Sequence, residues 1–184
     1  STRALSSAAS DVYKRQRLAS EKHVDWICKA VIQARSEVPE LSLDIYGVGG
    51  EREKLENIIR DNNASSYIRL MGQHDLSEVY QNYEAYIAGS TSEGFGLTLM
   101  EAVGGGLPII GFDVRYGNPT FIRNGGNGYL ISLPEEDKDK IEALRKGIVD
   151  LFKQDLEHCH SVSYEVAGDF LTSNVQEKWR EAVC

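Results

Sequence analysis

From Arg17 onward, apolar residues recur at two different periods. In "EKHVDWICKAVIQARSEVPE", Val24, Ile27, Cys28 and Val31 share one helical face, and Pro39 closes the segment. "LSLDIYG" is a short β-rich run ending in "GVGG", and "EREKLENIIRDNN" restarts a helix with acidic residues in its first turn. "SYIRLMG" predicts a strand and "DLSEVYQNYE" a short helix with Asp75 as its N-cap. "AYIAGS" is a strand leading into "STSEGFGLTLMEAVGGG", a turn followed by a helix. "LPIIGF" then predicts a buried strand, "NPTFIRNG" a short helical piece and "NGYLIS" another strand. From about Pro134 the chain reads as helical to its end.

Strands alternating with helices over short loops predict an α/β fold with a doubly wound parallel sheet. The strands' carboxyl ends meet "GVGG", "GQHD", "STSEGFG" and "GFDVRYGN". Ligands of such sheets bind at those ends, so these loops should line one crevice.

The first sixteen residues stand apart. "DVYKRQ" is the translation of the transposon end GATGTGTATAAGAGACAG, and "SSAAS" that of the adapter bases TCGTCGGCAGCGTCA ahead of it. Residues 1–16 are therefore expected to be adapter-derived and to lie outside the fold, leaving 17–184 as the domain. A helix beginning near Glu21 needs a strand before it, and the first strand of such a sheet is central. That strand should be missing, which leaves either an unstable chain or "DVYK" substituting for it by chance.

Charge and composition narrow the chemistry. The net charge is −8, and −10 once the +2 of residues 1–16 is set aside, which argues against nucleic-acid binding. No apolar run approaches the roughly 18 residues of a membrane span. Three scattered cysteines give no disulfide framework and suit a reducing cytoplasm. "HCH" at 158–160 spreads its side chains over different helix faces, so no metal site is expected.

The densest chemistry lies in "SEGFGLTLMEAVGGGLPII", residues 92–110. Gly94 and Gly96 allow close backbone approach to a ligand. The helix starting near Gly96 should present free amides at Leu97, Thr98 and Leu99, an anion site. Glu93 precedes that start and Glu101 lies about a turn and a half inside it, their backbones very roughly 10 Å apart. A diphosphate on the helix start would leave one carboxylate near each flanking sugar, and a carboxylate accepts from two adjacent hydroxyls.

"EGFGLTLMEAVGGGLPII" resembles the E-x₇-E donor motif of the retaining GT-B glycosyltransferases of glycosyltransferase family four. "RLASEKHVDW" is similar to their R-x₄-K loop, "DIYGVGGEREKLE" to their second βα loop, and "RLMGQHDLSEVY" to the strand and loop framing the nucleobase. The resemblance spans residues 17 to about 180 and implies the Rossmann-like C-terminal, donor-binding domain. It implies that Arg17 and Lys22 bind the diphosphate and stabilise the leaving group. Glu93 would hold donor-sugar hydroxyls, with Gly94, Phe95 and Gly96 packed against that sugar. Leu97 and Thr98 would offer amides to phosphate, Glu101 would bind the ribose, Gly49 would admit the nucleotide, and Gln73 and His74 would meet uracil. No metal or other cofactor is implied. Asp113, Arg115 and Tyr116 suit either a place near the sugar or a partner interface.

More narrowly, "RLASEKHVDW", "GFDVRYGNPTFI" and "NGYLI" resemble the catalytic subunits of the accessory-Sec glycosyltransferases of Gram-positive bacteria. That implies N-acetylglucosamine transfer from UDP-GlcNAc to Ser/Thr of a serine-rich surface polypeptide, with a GtfB-like partner subunit. It also implies a cytoplasmic reaction and leaves open peripheral membrane association through other regions. The rival is a teichoic-acid (polyglycerol-phosphate) α-glucosyltransferase using UDP-glucose. A reading of another class is a non-catalytic GT-B-fold chaperone subunit, which need not keep the nucleotide ligands. A nicotinamide-dependent enzyme fits poorly, because "GVGGERE" lacks the third glycine of G-x-G-x-x-G and follows the second strand.

Overall fold

The structure, a computed structural model, describes residues 3–8, 10–11, 15–16, 18–74 and 79–183, with side chains over 18–74, over 79–176 and at 180. Its elements run β1 (Arg3–Ala8), β2 (Ser10–Asp11), β3 (Arg15–Gln16), α1 (Val24–Ala34), β4 (Leu41–Tyr46), α2 (Arg52–Asp61), β5 (Ile68–Gly72), β6 (Ala85–Ala88), α3 (Leu97–Gly104), β7 (Ile109–Phe112), α4 (Gly117–Phe121), β8 (Gly128–Ile131), α5 (Asp137–Phe152), α6 (Leu156–Gly168) and α7 (Thr172–Val183). Two 3₁₀ turns, Ser20–Lys22 and Tyr80–Asn82, complete the order.

Six strands form one sheet in the order β5-β4-β1-β6-β7-β8, every pairing parallel. This is the doubly wound arrangement, with the strand order reversing on either side of β1. Alternation within the strands feeds two cores. Leu43, Ile45, Ile87, Ile110 and Phe112 pack with α1 and α5 residues such as Ile27, Val31, Leu144 and Ile148. Tyr86 and Ile109 face the other way, onto Leu99, Ala102 and Val103 of α3, with Phe121 and Val166. Period-two alternation in a sheet covered on both faces requires such a division.

Two expectations are corrected. The central strand position is filled, by Arg3–Ala8 and not by "DVYK": β1 pairs β4 from Arg3↔Leu41 to Ala8↔Tyr46 and meets β6 at Leu5↔Ala85 and Ser6↔Tyr86. Asp11 belongs to β2, and residues 12–14 lie outside the described residues. Strand pairing uses main-chain groups that every sequence carries, so a stretch without an apolar strand pattern can still occupy the gap. The "DLSEVYQNYE" helix is reduced, over its described part, to the 3₁₀ turn Tyr80–Asn82, and Asp75 lies outside the described residues.

The carboxyl ends of β4, β5, β6 and β7 lead into the four polar loops singled out above, beside the β1/β6 position where the order reverses. No helix among the described residues is long and apolar enough to cross a membrane.

Candidate active site

The loop from Gly89 to Gly96 is shaped by close backbone contacts. Glu93 makes an isolated parallel bridge with Tyr116: its carbonyl accepts from the Tyr116 amide at 2.6 Å and the Gly117 amide at 3.2 Å. The loop after β7 thus holds the Glu93 backbone from behind. Gly117 makes that approach possible, since a Cβ there would lie 2.8 Å from Glu93 Cγ and 3.0 Å from the Phe95 carbonyl oxygen. Gly96, the N-cap of α3, has φ +83°, a conformation glycine adopts without the Cβ penalty. Its carbonyl accepts from the Leu99 and Met100 amides at 2.9 and 3.0 Å. The Leu99 amide is therefore engaged inward, contrary to expectation. The amides of Leu97 and Thr98 precede that first helical bond, as the first amides of a helix do.

A second segment reaches this loop from the start of α1. A Cβ on Gly89 would lie 2.7 Å from the Lys22 carbonyl oxygen and 3.0 Å from that of His23, so glycine lets the 3₁₀ turn ride over the end of β6. His23 continues it at φ +46° and stacks on Trp26, ring centroids 3.6 Å apart and planes nearly parallel. Lys22 then donates from Nζ to Glu93 Oε2 at 2.9 Å, both side chains about one-fifth exposed (22% and 19%). With the two reaching across to each other, the pocket they line with Val24, Ser90 and Thr98 holds only about 10 Å³. That is room for one water at most. Arg17, the other expected phosphate ligand, lies outside the described residues.

The remaining expected residues fall around this centre. Gly94 and Phe95 are exposed beside Glu93. A Cβ on Gly94 would meet no atom of the chain within 4 Å, so no contact within the protein demands glycine there. Phe95, half-exposed, sets its ring edge-on to Phe121 and Phe170 at 5.5 and 6.2 Å. Glu101 is exposed on the second turn of α3, and Tyr80 donates its hydroxyl to Glu101 Oε2 at 3.1 Å. Gln73 and His74 are exposed at the end of β5. His74 Nε2 lies 2.9 Å from the Met71 carbonyl, which can only accept, so Nε2 carries a proton. Gly49 is required by a contact within the chain. A Cβ there would lie 2.3 Å from the Leu18 carbonyl oxygen, and Leu18 donates to the Val48 carbonyl at 2.8 Å. The close approach it permits is thus to the chain beside Arg17.

Below the loop after β5 lies a partly buried polar relay that the sequence did not announce. Arg69 donates Nε and Nη2 to the two oxygens of Asp44, 2.6 Å each. Tyr83 donates to Asp44 Oδ2 at 2.6 Å, and with its proton so committed it accepts from the Tyr46 hydroxyl, also at 2.6 Å. Burial, then the Asp44 and Tyr46 bonds, push the Tyr83 phenol well above its ordinary pKa and keep it a donor. The Tyr46 ring meets His74 edge-on at 5.6 Å. Tyr80, Tyr83 and Tyr86 are all packed in the second core. The residues of "HCH" do not converge: Cys159 is buried with Sγ toward Gln154, His160 bonds the Gly106 carbonyl, and His158 is exposed.

Comparison with known proteins bears on this geometry. The family described as "Glycosyl transferases group 1" matches residues 10–167. Over 170 residues the chain is 55% identical to the "UDP-N-acetylglucosamine--peptide N-acetylglucosaminyltransferase GtfA subunit" of Limosilactobacillus reuteri subsp. suis, covering 91% of this chain and 33% of that protein. It is 32% identical over 187 residues to the "Poly(glycerol-phosphate) alpha-glucosyltransferase" of Bacillus subtilis, covering 98% of this chain and 27% of the relative. The crystal structure of the pneumococcal O-GlcNAc transferase GtfA, in complex with UDP and GlcNAc, superposes with a TM-score of 0.87 at 47% identity, over 99% of this chain and 35% of that one. A GtfA/B complex matches with a TM-score of 0.85 at 49% identity, over 98% and 35% of the two chains. The chain thus spans about a third of the length of its GtfA relatives.

Proposed function

The chain belongs to the group 1 glycosyl transferases, and from that premise we propose that it is the donor-binding part of an N-acetylglucosaminyltransferase. The enzyme would move GlcNAc from UDP-GlcNAc to Ser/Thr hydroxyls of a serine-rich surface polypeptide, with retention at the anomeric carbon. The observation that carries the reading is the Lys22–Glu93 contact beside the α3 start, in a chain 55% identical to a peptide N-acetylglucosaminyltransferase subunit. The 32% identity to the poly(glycerol-phosphate) glucosyltransferase makes UDP-glucose the weaker alternative. A chaperone subunit without catalysis would have no need of Lys22, Glu93 and Glu101 together.

In this mechanism the chain's work is electrostatic and positional. The diphosphate lies on the Leu97 and Thr98 amides, where the helix dipole favours negative charge. Lys22 turns from Glu93 to the phosphates, and with Arg17 it neutralises the charge that grows on the leaving UDP as the C1–O bond breaks. Glu93, released from Lys22, accepts from donor-sugar hydroxyls. Glu101 accepts from the ribose, and the Gln73–His74 loop meets the uracil. The two cations do the work for which other transferases use a metal ion. The acceptor and its binding groups belong to a longer protein, together with a GtfB-like partner; a solved GtfA/B complex supports that association. Use of a nucleotide sugar puts the reaction in the cytoplasm, with any membrane association peripheral.

Titration of UDP-GlcNAc into the folded chain tests the donor assignment. Saturable binding that UDP competes away is expected, with UDP-glucose weaker. A folded chain showing no interaction with either nucleotide sugar would overturn it.

A further inference from the structure

We infer that Tyr80 is the positioning residue for Glu101, taking one carboxylate oxygen so that the other is held toward the ribose hydroxyls of the donor. This rests on the reading of Glu101 as the ribose ligand and names what makes that residue effective. Glu101 is exposed on α3, and a glutamate in that position, if unpartnered, samples many rotamers. Its carboxylate is met by one buried group, the Tyr80 hydroxyl, 3.1 Å from Oε2. Tyr80 is itself immobilised, only 3% exposed with its ring 6.4 Å from that of Tyr86. Gly105 closes the other side: a Cβ there would lie 2.6 Å from the Tyr80 Cβ, so the ring fits only against glycine. Burial and the nearby carboxylate hold the phenol well above its ordinary pKa, and its one proton stays available to donate. A hydrogen bond to an ionised acceptor is among the stronger kinds. The arrangement fixes the carboxylate before the ligand arrives, which cuts the ordering cost of binding.

A structural role alone would satisfy the buried phenol and leave ribose recognition untouched. The experiment compares UDP with 2′-deoxy-UDP by calorimetry, on the wild-type chain, Glu101→Gln and Tyr80→Phe, with thermal melts to verify folding. In the wild type, UDP should bind about tenfold more tightly than the deoxy form, the scale of one lost hydrogen bond to a charged group. Glu101→Gln should abolish most of that ratio. Tyr80→Phe should lower it to about threefold or less, by weakening UDP while leaving 2′-deoxy-UDP nearly unchanged. An undiminished ratio in a folded Tyr80→Phe overturns the inference and leaves the Glu101 reading standing. A wild type that does not distinguish the two nucleotides overturns both. If Tyr80→Phe does not fold, Gly105→Ala, which displaces the ring and keeps the hydroxyl, should lower the ratio in the same way; an unchanged ratio there also overturns the inference.

Discussion

Lys22 Nζ and Glu93 Oε2 stand 2.9 Å apart, joining the turn before α1 to the loop before α3 across 71 residues of chain. Both are partly solvated, so the pair's worth to stability is about 1 kcal/mol or less. On the function proposed above its value to a donor is larger, with Lys22 as the phosphate cation and Glu93 as the sugar carboxylate. In the full-length enzyme, Lys22→Ala and Glu93→Gln should each reduce turnover by about 10²–10³-fold, as loss of a preorganised electrostatic group does. Melting temperatures of the two variants should stay near wild type. Normal turnover would refute the roles, and a large melting shift with intact turnover would make the pair structural.

Gly94 and Gly117 flank Glu93 and separate ligand packing from protein packing. Gly117→Ala drives a methyl group to 2.8 Å from Glu93 Cγ and 3.0 Å from the Phe95 carbonyl. It should cost about 1–3 kcal/mol in urea unfolding and weaken UDP-GlcNAc binding as well. Gly94→Ala meets nothing within 4 Å, so its urea midpoint should not move. If the donor sugar packs on this glycine, its affinity for UDP-GlcNAc should fall while that for UDP stays unchanged. Equal loss for both nucleotides would shift the sugar away from Gly94.

The Asp44 relay predicts a stability effect without a ligand. Asp44 is 3% exposed and accepts from Arg69 and Tyr83, while Arg69 stays more than half exposed. Asp44→Asn loses the charge assistance and sets an amide against donors. Because Arg69 can turn to water, the cost should be about 1–3 kcal/mol, below that of a fully buried broken pair. Urea unfolding measures it, and a change under a few tenths would show the relay to be incidental.

The alternation of helix and strand was legible because period decides it. Val24, Ile27, Cys28 and Val31 lie on α1, and all four are buried. The candidate residues Lys22, Glu93 and Glu101 could be picked out because they sit in short motifs with fixed spacing, and the structure brings the first two into contact. What escaped depends on contacts that sequence distance hides. Gly117 matters through Glu93, Gly89 through the Lys22 carbonyl, and Tyr80 through Glu101 and Gly105. The contact of Gly49 with Leu18 escaped too, since a turn glycine does not announce which backbone it touches. The strand at Arg3–Ala8 escaped for a different reason: parallel pairing is main-chain chemistry, and an apolar pattern is only its usual companion.

His23 gives the fold a pH dependence of definite sign. Burial holds its imidazole below the ordinary 6.5, against the opposing pull of Asp25 and Asp137. The unfolded chain therefore takes up this proton first as pH falls through about 6.5. Stability from this residue is complete above that pH and declines below it, until the folded imidazole also titrates. Urea midpoints should fall between pH 7.5 and 5.5. His23→Asn, which tolerates the left-handed φ of +46°, should flatten that interval. An unchanged slope in this variant would assign the effect to other groups.

The centre of the sheet supplies the last prediction. β1 pairs β4 along its whole length and β6 at two positions, so it separates the two halves of the sheet. Without it, Leu41–Tyr46 and Ala85–Tyr86 would each present unpaired amides and carbonyls toward a gap in the interior. Each orphaned buried group costs about 1–3 kcal/mol, and several together would exceed the roughly 5–15 kcal/mol that holds a domain folded. A chain begun at Arg17 should therefore lose its cooperative melting transition and its UDP binding together. Supplying Arg3–Ala8 on a separate peptide should not restore them efficiently, because the strand must enter between two others. A truncated chain that still melts cooperatively and binds UDP would show that β4 and β6 close on each other, and that residues 1–16, read from the sequence as adapter-derived, are dispensable to the fold.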